Sequence, residues 1–184
     1  SSYTCGSPPA TYRRLGDTTG TVFTCDAASP RLQHPLSFII DDSSTTWWQS
    51  INQPADSREL RLNITFSFNK TFIMAGDINI VFNSGRPDQM VLEKSMDNGV
   101  TFVPLQFFAR NCTNFNNEII SGSTVTADNP TAVICTDHFV ETVTTPPAGQ
   151  KVTFSLDDRF LLFLGPNEIN FASFYQALEN QMSN

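Results

Sequence analysis

Four cysteines carry the most definite chemistry in this chain of 184 residues: Cys5, Cys25, Cys112 and Cys135. Their number is even and their spacings differ from those of CxxC metal knuckles, so two disulfides are favoured over a zinc site or a redox centre. Three connectivities are open. Pairing of nearest neighbours, Cys5 with Cys25 and Cys112 with Cys135, demands least of the fold. Disulfides of this kind indicate an oxidising compartment outside the cytosol.

Residues that could serve as acids, bases or nucleophiles do not form a catalytic set. The sequence contains no GxSxG elbow, HExxH helix, Walker loop or GxGxxG turn. Its two histidines, His34 and His138, lie in a proline-flanked loop and beside a strand end, where an isolated histidine is usually structural or solvated. Asp157 and Asp158 are adjacent, so on a strand they would point to opposite faces and could not act on one substrate. We therefore expect no enzymatic activity.

Three sequons predict N-linked glycans, and they begin at Asn63, Asn69 and Asn111. Apolar and polar residues alternate from Leu60 to Phe68, so we expect Asn63 and Asn69 on the solvent-facing side of one strand. The Asn111 sequon is the weakest, because Cys112 within it would compete by forming a disulfide. Together with the cysteines, the sequons indicate a secreted protein.

Charge and hydropathy exclude two classes of partner. The formal net charge is −7 and the sequence pI is about 4.6, so the chain lacks a basic surface for nucleic acid. No apolar stretch approaches the roughly 20 residues that cross a bilayer, so we expect no direct membrane insertion. A cation is the better expectation for an acidic chain.

Short β-strands are predicted to position these residues within one domain, 1–184. The first 37 residues are rich in turn formers and predict an ordered loop layer. Beyond them the strand-forming runs are Phe38–Ile40, Leu60–Phe68, Ile78–Phe82, Met90–Lys94, Val100–Phe108, Ala132–Cys135 and Lys151–Leu156.

Turns and one helical pattern complete the prediction. Asn83–Asp88 and Asp97–Gly99 are the clearest turn signals, and Asn98-Gly99 is typical of a tight antiparallel hairpin. Only Phe171–Leu178 has a helical period, with Phe171, Phe174, Tyr175 and Leu178 on one face. The sequence therefore predicts an all-β sandwich or barrel of antiparallel strands, with long loops and one short C-terminal helix.

Several motifs resemble the laminin N-terminal domain that heads laminins and netrins. The run from Asp41 to Ser50, DDSSTTWWQS, is similar to that family's Asp-loop-Thr-Trp-Trp-Gln-Ser signature. The longest match, SGRPDQM at 84–90 followed by EKSMD at 93–97 and VPLQFF at 103–108, resembles netrins and netrin-Gs. Shorter matches are Cys5-Gly6-Ser7-Pro8-Pro9, Cys25-Asp26-Ala27, His34-Pro35, Asp158-Arg159-Phe160, Leu164-Gly165-Pro166 and Ala172-Ser173-Phe174-Tyr175. The resemblance covers nearly the whole chain.

The chain departs from the family at an extra cysteine pair that relatives carry between its first two cysteines. Arg13 and Thr21 stand at those places. Joint loss of the pair supports joining Cys5 to Cys25. By the same comparison, the chain is expected to lack the family's first segment and last strand, and the EGF-like modules that usually follow.

The resemblance implies a jelly-roll β-sandwich with a structural calcium ion near the Asp-loop-Thr segment. Asp41, Asp42 and Thr46 would supply hard oxygen ligands, and Ser173 would complete the site from the far end of the sequence. An alternative is that the two aspartates only cap the turn before the tryptophans.

For recognition, the sequence offers loops and a tryptophan pair. Trp47 and Trp48 are predicted to anchor the fold rather than to contact a ligand. Partner contacts are expected in the two turn segments, at Ser84, Arg86, Asp88, Asp97 and Asn98. The alternative is that both segments are tight turns that contact no partner. The resemblance implies an extracellular domain that binds a cell-surface receptor in guidance or adhesion. The alternatives are a laminin-type node, which binds other laminin N-terminal-like domains in matrix assembly, and a secreted carbohydrate-binding jelly roll.

Overall fold

A computed structural model of the chain describes residues 3–14, 18–52, 59–70, 73–74, 76–83, 86–115, 124–126, 128–129, 131–137, 150–155, 163–164 and 168–176. These residues form a fold built from strands, with two single-turn 3-10 helices at Leu36–Ile39 and Cys112–Asn114. The strands are β1 (Ala10–Tyr12), β2 (Phe23–Cys25), β3 (Glu59–Ser67), β4 (Ile73–Met74), β5 (Ile78–Phe82), β6 (Gln89–Ser95), β7 (Val103–Ala109), β8 (Ile134–Thr136), β9 (Gln150–Phe154), β10 (Phe163–Leu164) and β11 (Glu168–Gln176).

A five-stranded sheet in the order β3-β11-β6-β7-β8 is the main scaffold. Its neighbours are antiparallel except β7 and β8, which run parallel. Along β3 the buried residues Leu60 and Leu62 alternate with the exposed residues Arg61 and Asn63, as the sequence pattern predicts. The β3 edge of the sheet therefore has one apolar face and one exposed polar face.

The apolar face packs against a second sheet, in which β5 pairs antiparallel with β9. The core cluster joins both sheets and consists of Met90, Leu92, Leu105, Phe108, Val152 and Phe154, with Ile78, Ile80 and Phe82 packed against it. Leu92 and Phe154 are almost completely buried. The predicted all-β sandwich is thus confirmed. Two smaller ribbons, β1 with β2 and β4 with β10, complete the described pairings.

The predicted C-terminal helix at Phe171–Leu178 is wrong. Residues 168–176 form β11, which lies in the middle of the five-stranded sheet and pairs along its whole length with β3. The helical period rested on four apolar residues, whereas a central strand gains hydrogen bonds on both edges, and Ile, Phe and Tyr favour strands. Among the described residues no helix is long and apolar enough to cross a membrane.

The predicted strand at Phe38–Ile40 is also wrong. Leu36–Ile39 is a 3-10 helix that follows Pro35, and none of its residues is buried. Proline restricts its own φ to about −65° and suits the start of a helical turn. The segment is apolar, but its apolar and polar residues do not alternate. Its composition favoured a strand, yet no described strand pairs with it.

The other strand predictions hold with shifted boundaries. Ile78–Phe82 is reproduced, and β6 begins one residue before Met90 and ends one after Lys94. β7 begins at Val103 rather than Val100, because residues 100–102 belong to the preceding turn. β8 begins two residues later and ends one residue later than predicted, and β9 ends at Phe154, with Leu156 outside the described residues.

Candidate functional site

The N-terminal loop layer is tied together by the disulfide between Cys5 and Cys25, and both cysteines are buried. Cys25 ends β2, and the backbone of Ala27 donates a hydrogen bond to the carbonyl of Gly6 at 3.0 Å. Gly6 has φ of +101°, and a Cβ atom there would collide with the backbone nitrogen of Ala27. The predicted nearest-neighbour pairing is confirmed, as it is for Cys112 with Cys135.

The Asp-loop-Thr segment is closed by the side chain of Asp41. One carboxylate oxygen accepts the backbone N–H of Ser43 at 3.1 Å, and the other accepts the hydroxyl of Thr46 at 2.6 Å. Asp42 lies between them with φ of +56°, a left-handed conformation that Asp tolerates better than most residues. Asp41 therefore caps the turn, which was the alternative interpretation of the sequence. Its exposed carboxylate also lies beside the hydroxyl of Thr46.

The tryptophan pair fastens this segment to the N-terminal layer. The Trp48 indole N–H donates to the hydroxyl of Thr4 at 3.0 Å, and the Trp47 indole N–H donates to the Gln49 side chain at 3.4 Å. Backbone hydrogen bonds continue the attachment, from Cys5 to the Gln49 carbonyl and from Ile51 to the Tyr3 carbonyl. The pair lies outside the strands of the described residues, and both tryptophans are only half-buried.

An aromatic and cationic stack surrounds His34. Its imidazole lies 4.4 Å from the Trp47 ring, nearly parallel to it, and the Arg14 guanidinium lies 5.6 Å from the same indole and 4.5 Å from Phe23. Burial lowers the pKa of His34, a hydrogen bond with the Trp47 backbone offsets part of that effect, and Arg14 lowers it further. Among the described residues the buried Nδ1 atom has no hydrogen-bond partner. His34 is therefore packed into the N-terminal layer and is not solvated.

Metal-ligating groups were sought across the described part of the chain. No three His, Cys, Asp or Glu side chains within it come close enough to hold an ion together. Asp41 and Thr46 do converge, and calcium accepts hydroxyl and carbonyl oxygens as well as carboxylates. Ser173 lies in β11, where it pairs in the sheet with Leu62 of β3 and Met90 of β6.

The two predicted recognition loops lie at opposite ends of the five-stranded sheet. Asp88 precedes β6, whereas Asp97 follows it, and β6 contains seven residues, a span of roughly 20 Å. We call these the Asp88 end and the Asp97 end. One small binding footprint cannot include both.

At the Asp88 end, an ion pair joins the recognition loop to the residue after β7. Arg110 Nη2 lies 3.0 Å from the carboxylate of Asp88, and the Arg110 backbone N–H donates to the Asp88 carbonyl at 2.9 Å. The Arg110 side chain is 62% exposed. Arg86 is half-buried, Pro87 is buried, and Ser84 lies outside the described residues. The sequence analysis did not identify Arg110, because no local motif couples it to Asp88.

At the Asp97 end, an aspartate organises the turn between β6 and β7. Its carboxylate accepts the backbone N–H and the hydroxyl of Thr101, the hydroxyl of Ser95 and the backbone N–H of Val100. The Thr101 hydrogen bonds are the main cause of lowering the pKa of Asp97 to about 2. Asn98 and Gly99 both have positive φ, and β6 pairs antiparallel with β7 as predicted, but residues 96–102 connect the strands, so the predicted tight turn is wrong. These hydrogen bonds hold the Asp97 side chain within the turn, whereas Asn98 is exposed.

All three sequon asparagines are exposed. Asn63 lies in the middle of β3, but Asn69 lies two residues beyond the strand in a left-handed conformation, with φ of +53°. The two therefore do not share one strand face. Asn111 caps the 3-10 helix that follows it, because its side-chain oxygen accepts the backbone N–H of Thr113.

His138, Asp157 and Asp158 lie outside the described residues.

Comparison with known proteins agrees with the motifs. The sequence profile of the family described as Laminin N-terminal (Domain VI) matches residues 1–181. Netrin-G1 of Homo sapiens is 37% identical over 180 residues, which are 96% of this chain and 33% of the relative. Netrin-G2 of Homo sapiens is 35% identical over 98% of the chain and 34% of its own length. Laminin subunit gamma-1 of Homo sapiens is 30% identical over 83% of the chain and 10% of its own length. The chain thus spans about a third of the netrin-G relatives.

Proposed function

Because the chain belongs to the laminin N-terminal (Domain VI) family, we propose that it is an extracellular recognition domain that binds a cell-surface receptor in guidance or adhesion. The observation that carries this proposal is the likeness to netrin-G1, which is closer and covers more of the chain than the likeness to laminin subunit gamma-1. Two disulfides and exposed sequons suit a secreted or cell-surface location. The proposed role is binding and not catalysis.

We place the receptor contact at the Asp88 end. The Asp88–Arg110 ion pair holds the loop before β6 against the residue after β7, so the loop is preorganised on the sheet. Preorganisation reduces the entropic cost of association. The exposed guanidinium of Arg110 can offer hydrogen-bond donors to a partner carboxylate, and arginine is enriched at energetic centres of interfaces.

Cell binding tests this placement. The labelled secreted domain is applied to receptor-bearing neuronal or epithelial cells, and bound label is measured across concentrations for wild type and Arg110→Glu. We expect at least a tenfold loss of affinity, equivalent to about 1.4 kcal/mol. Lys151→Glu, an equal charge change at an exposed position of β9, is the matched control and should bind as wild type does. Equal binding by Arg110→Glu would move the contact away from the Asp88 end.

We further propose a structural calcium ion at the Asp41–Thr46 loop. The Asp41 and Thr46 oxygens, 2.6 Å apart, can both reach one ion at the 2.3–2.6 Å typical of calcium, with Asp42 and freed carbonyls close in sequence. Calcium would replace the Asp41–Thr46 hydrogen bond with stronger links and stiffen the segment before the tryptophans. Ser173 is a further proposed ligand.

Thermal melting in calcium and in chelator tests the ion. Chelator should lower the melting temperature of wild type by several degrees, since an ion bound only to the folded state stabilises it. Asp41→Asn should remove that difference while leaving a folded domain. An unchanged wild-type melt would show that Asp41 caps the turn and does nothing more.

A second function, a self-association node of the laminin type, is favoured by the likeness to laminin subunit gamma-1 and by the Trp-Trp-Gln-Ser motif. The sugar-binding alternative gains no support, because both indoles are engaged within the chain, by Thr4 and by the His34 stack. We propose N-linked glycans at Asn63 and Asn69, and less readily at Asn111, where disulfide formation by Cys112 competes.

A further inference from the structure

The connection between β6 and β7 contains a pair of residues that is chemically labile. Asn98 and Gly99 have φ of +57° and +80°, left-handed conformations that asparagine and glycine adopt more readily than other residues. The pair is the only Asn-Gly sequence in the chain. Here the backbone nitrogen of Gly99 can attack the Asn98 side chain, because glycine has no side chain to obstruct the approach. The conformation of the turn thus favours the two residue types that deamidate most easily.

In the folded protein the attacking nitrogen is held by Ser95, the last residue of β6. The Gly99 backbone N–H donates to the Ser95 hydroxyl oxygen at 2.8 Å. The Ser95 hydroxyl in turn donates to the Asp97 carboxylate at 2.8 Å, and its oxygen also accepts the Asp97 backbone N–H at 3.3 Å. Ser95 is only 1% exposed, so water competes weakly for these hydrogen bonds. The Gly99 nitrogen is therefore fixed from the buried side of the turn.

We propose that Asn98 is a deamidation site and that Ser95 controls its rate. The Gly99 nitrogen loses its proton to a base in solution and bonds to the side-chain carbonyl carbon of Asn98. The bond from that carbon to Nδ2 breaks, and ammonia leaves with a proton taken from the solvent. Water then opens the succinimide ring at either carbonyl carbon, which leaves an aspartate or an isoaspartate at this position.

The reaction requires the turn to open, because the Gly99 nitrogen cannot attack while its N–H is donated to Ser95. Local segments of a protein open at free energies between zero and that of global unfolding. The rate in the folded protein is therefore the rate in the free chain multiplied by the fraction of molecules with an open turn. Neither the receptor contact at the Asp88 end nor glycosylation is needed for this reaction.

The product differs from the original turn in charge and in geometry. Deamidation adds a negative charge at an exposed position of a chain that is already acidic. An isoaspartate also lengthens the backbone by one carbon atom, so the Gly99 nitrogen no longer returns to the same place beside Ser95. A molecule that opens long enough to react is thus altered permanently at the Asp97 end.

Peptide mass spectrometry tests the proposal after incubation in mildly alkaline water enriched in heavy oxygen, which labels asparagines that react during the incubation. The samples are folded wild type, wild type in denaturant with its disulfides intact, and folded Ser95→Ala. We expect Asn98 to react more than about tenfold faster in the unfolded chain than in folded wild type. Folded Ser95→Ala should react roughly tenfold faster than folded wild type, the effect of losing one hydrogen bond.

Two controls separate opening of the turn from other causes. Asn129 precedes Pro130, which has no backbone N–H, so the peptide that contains it should gain far less label in every sample. Val152→Ala removes volume from the core of the second sheet and lowers global stability without touching the turn. It should leave the rate at Asn98 close to that of wild type.

Equal rates in folded wild type and in the unfolded chain would show that Ser95 does not protect Asn98. An unlabelled Asn98 in the unfolded chain would remove the site altogether. A Ser95→Ala rate no faster than that of Val152→Ala would refute control by the Ser95 hydrogen bond. If Ser95→Ala does not fold, hydrogen exchange of the Gly99 N–H in folded wild type measures the same opening: slow exchange supports the proposal, and exchange as fast as in a free peptide overturns it.

Discussion

Gly6 is the residue at which the N-terminal layer tolerates least change. Its φ of +101° is strained for any residue with a side chain, and an added Cβ would meet the Ala27 backbone, which cannot move like a flexible side chain. The disulfide partner of Cys5, Cys25, lies just before Ala27 in sequence. A shift at Gly6 is therefore transmitted to both sides of the covalent bridge.

We predict that Gly6→Ala lowers the free energy of unfolding by roughly 1–3 kcal/mol, through backbone strain and the steric collision. Gly76→Ala is the matched control, since a Cβ there meets nothing within 4 Å. Chemical denaturation of the oxidised proteins measures the difference. Equal stability of the two variants would show that the loop relaxes around Gly6 at no cost.

Asp97 makes the β6–β7 turn dependent on pH. Its pKa in the folded state, about 2, lies below the ordinary 3.8, so the folded protein binds this proton less readily than the unfolded chain does. Its stabilising effect is therefore fully present above about pH 4 and lost as the pH falls towards 2. The stability advantage of wild type over Asp97→Asn should shrink across that interval, as measured by denaturation at each pH. An advantage that is constant with pH would contradict the assignment.

At the scale of single residues, the features that could be predicted are those that depend on residue type and on short distances along the sequence. Both disulfides, the Asp41 turn cap and the antiparallel pairing across Asn98-Gly99 follow from such local signals. The Asp88–Arg110 pair does not, because its partners are 22 positions apart and meet only through the β6–β7 register. Alternation correctly predicted that Asn69 is exposed, but it did not show that the strand ends at Ser67, before Asn69.

At the scale of elements, the two wrong predictions have one cause. A short apolar segment does not show by itself whether its backbone finds partners. Residues 168–176 find them on both edges and become the central strand β11, whereas Leu36–Ile39 remain a single 3-10 turn. Strands such as β3 and β5 were predictable because one of their faces is buried and the other is wet, which leaves a period of two in the sequence.

The stack of His34 on Trp47 joins the N-terminal layer to the tryptophan segment, and it should weaken in acid. The pKa of His34 is lowered by burial, so the neutral imidazole is favoured in the folded state. Its stabilising effect is complete above the ordinary pKa of 6.5 and is lost as the pH falls below it. His34→Phe keeps a ring at this position and removes the proton.

We predict that wild type loses more stability than His34→Phe between pH 7.5 and about pH 5, as measured by melting temperature. The comparison of the two proteins isolates His34 from all other titrating groups. Parallel curves would mean that the imidazole is solvated well enough to accept a proton without cost.

At the scale of the whole molecule, three regions of the described structure are separate from one another. The N-terminal layer and the Asp41–Thr46 loop form one region, bound together through Trp48 and Thr4. The Asp88 end presents a fixed arginine, and the Asp97 end presents the Asn98-Gly99 turn.

Sedimentation of the secreted, glycosylated domain tests this account most directly, over a wide concentration range in millimolar calcium and again in chelator. We predict a monomer at every concentration in both conditions, because the proposed partner is a receptor and not a second copy of the domain. Calcium should change the stability of the domain and not its mass. A mass that rises with concentration only in calcium would contradict the receptor proposal and identify the domain as a self-association node.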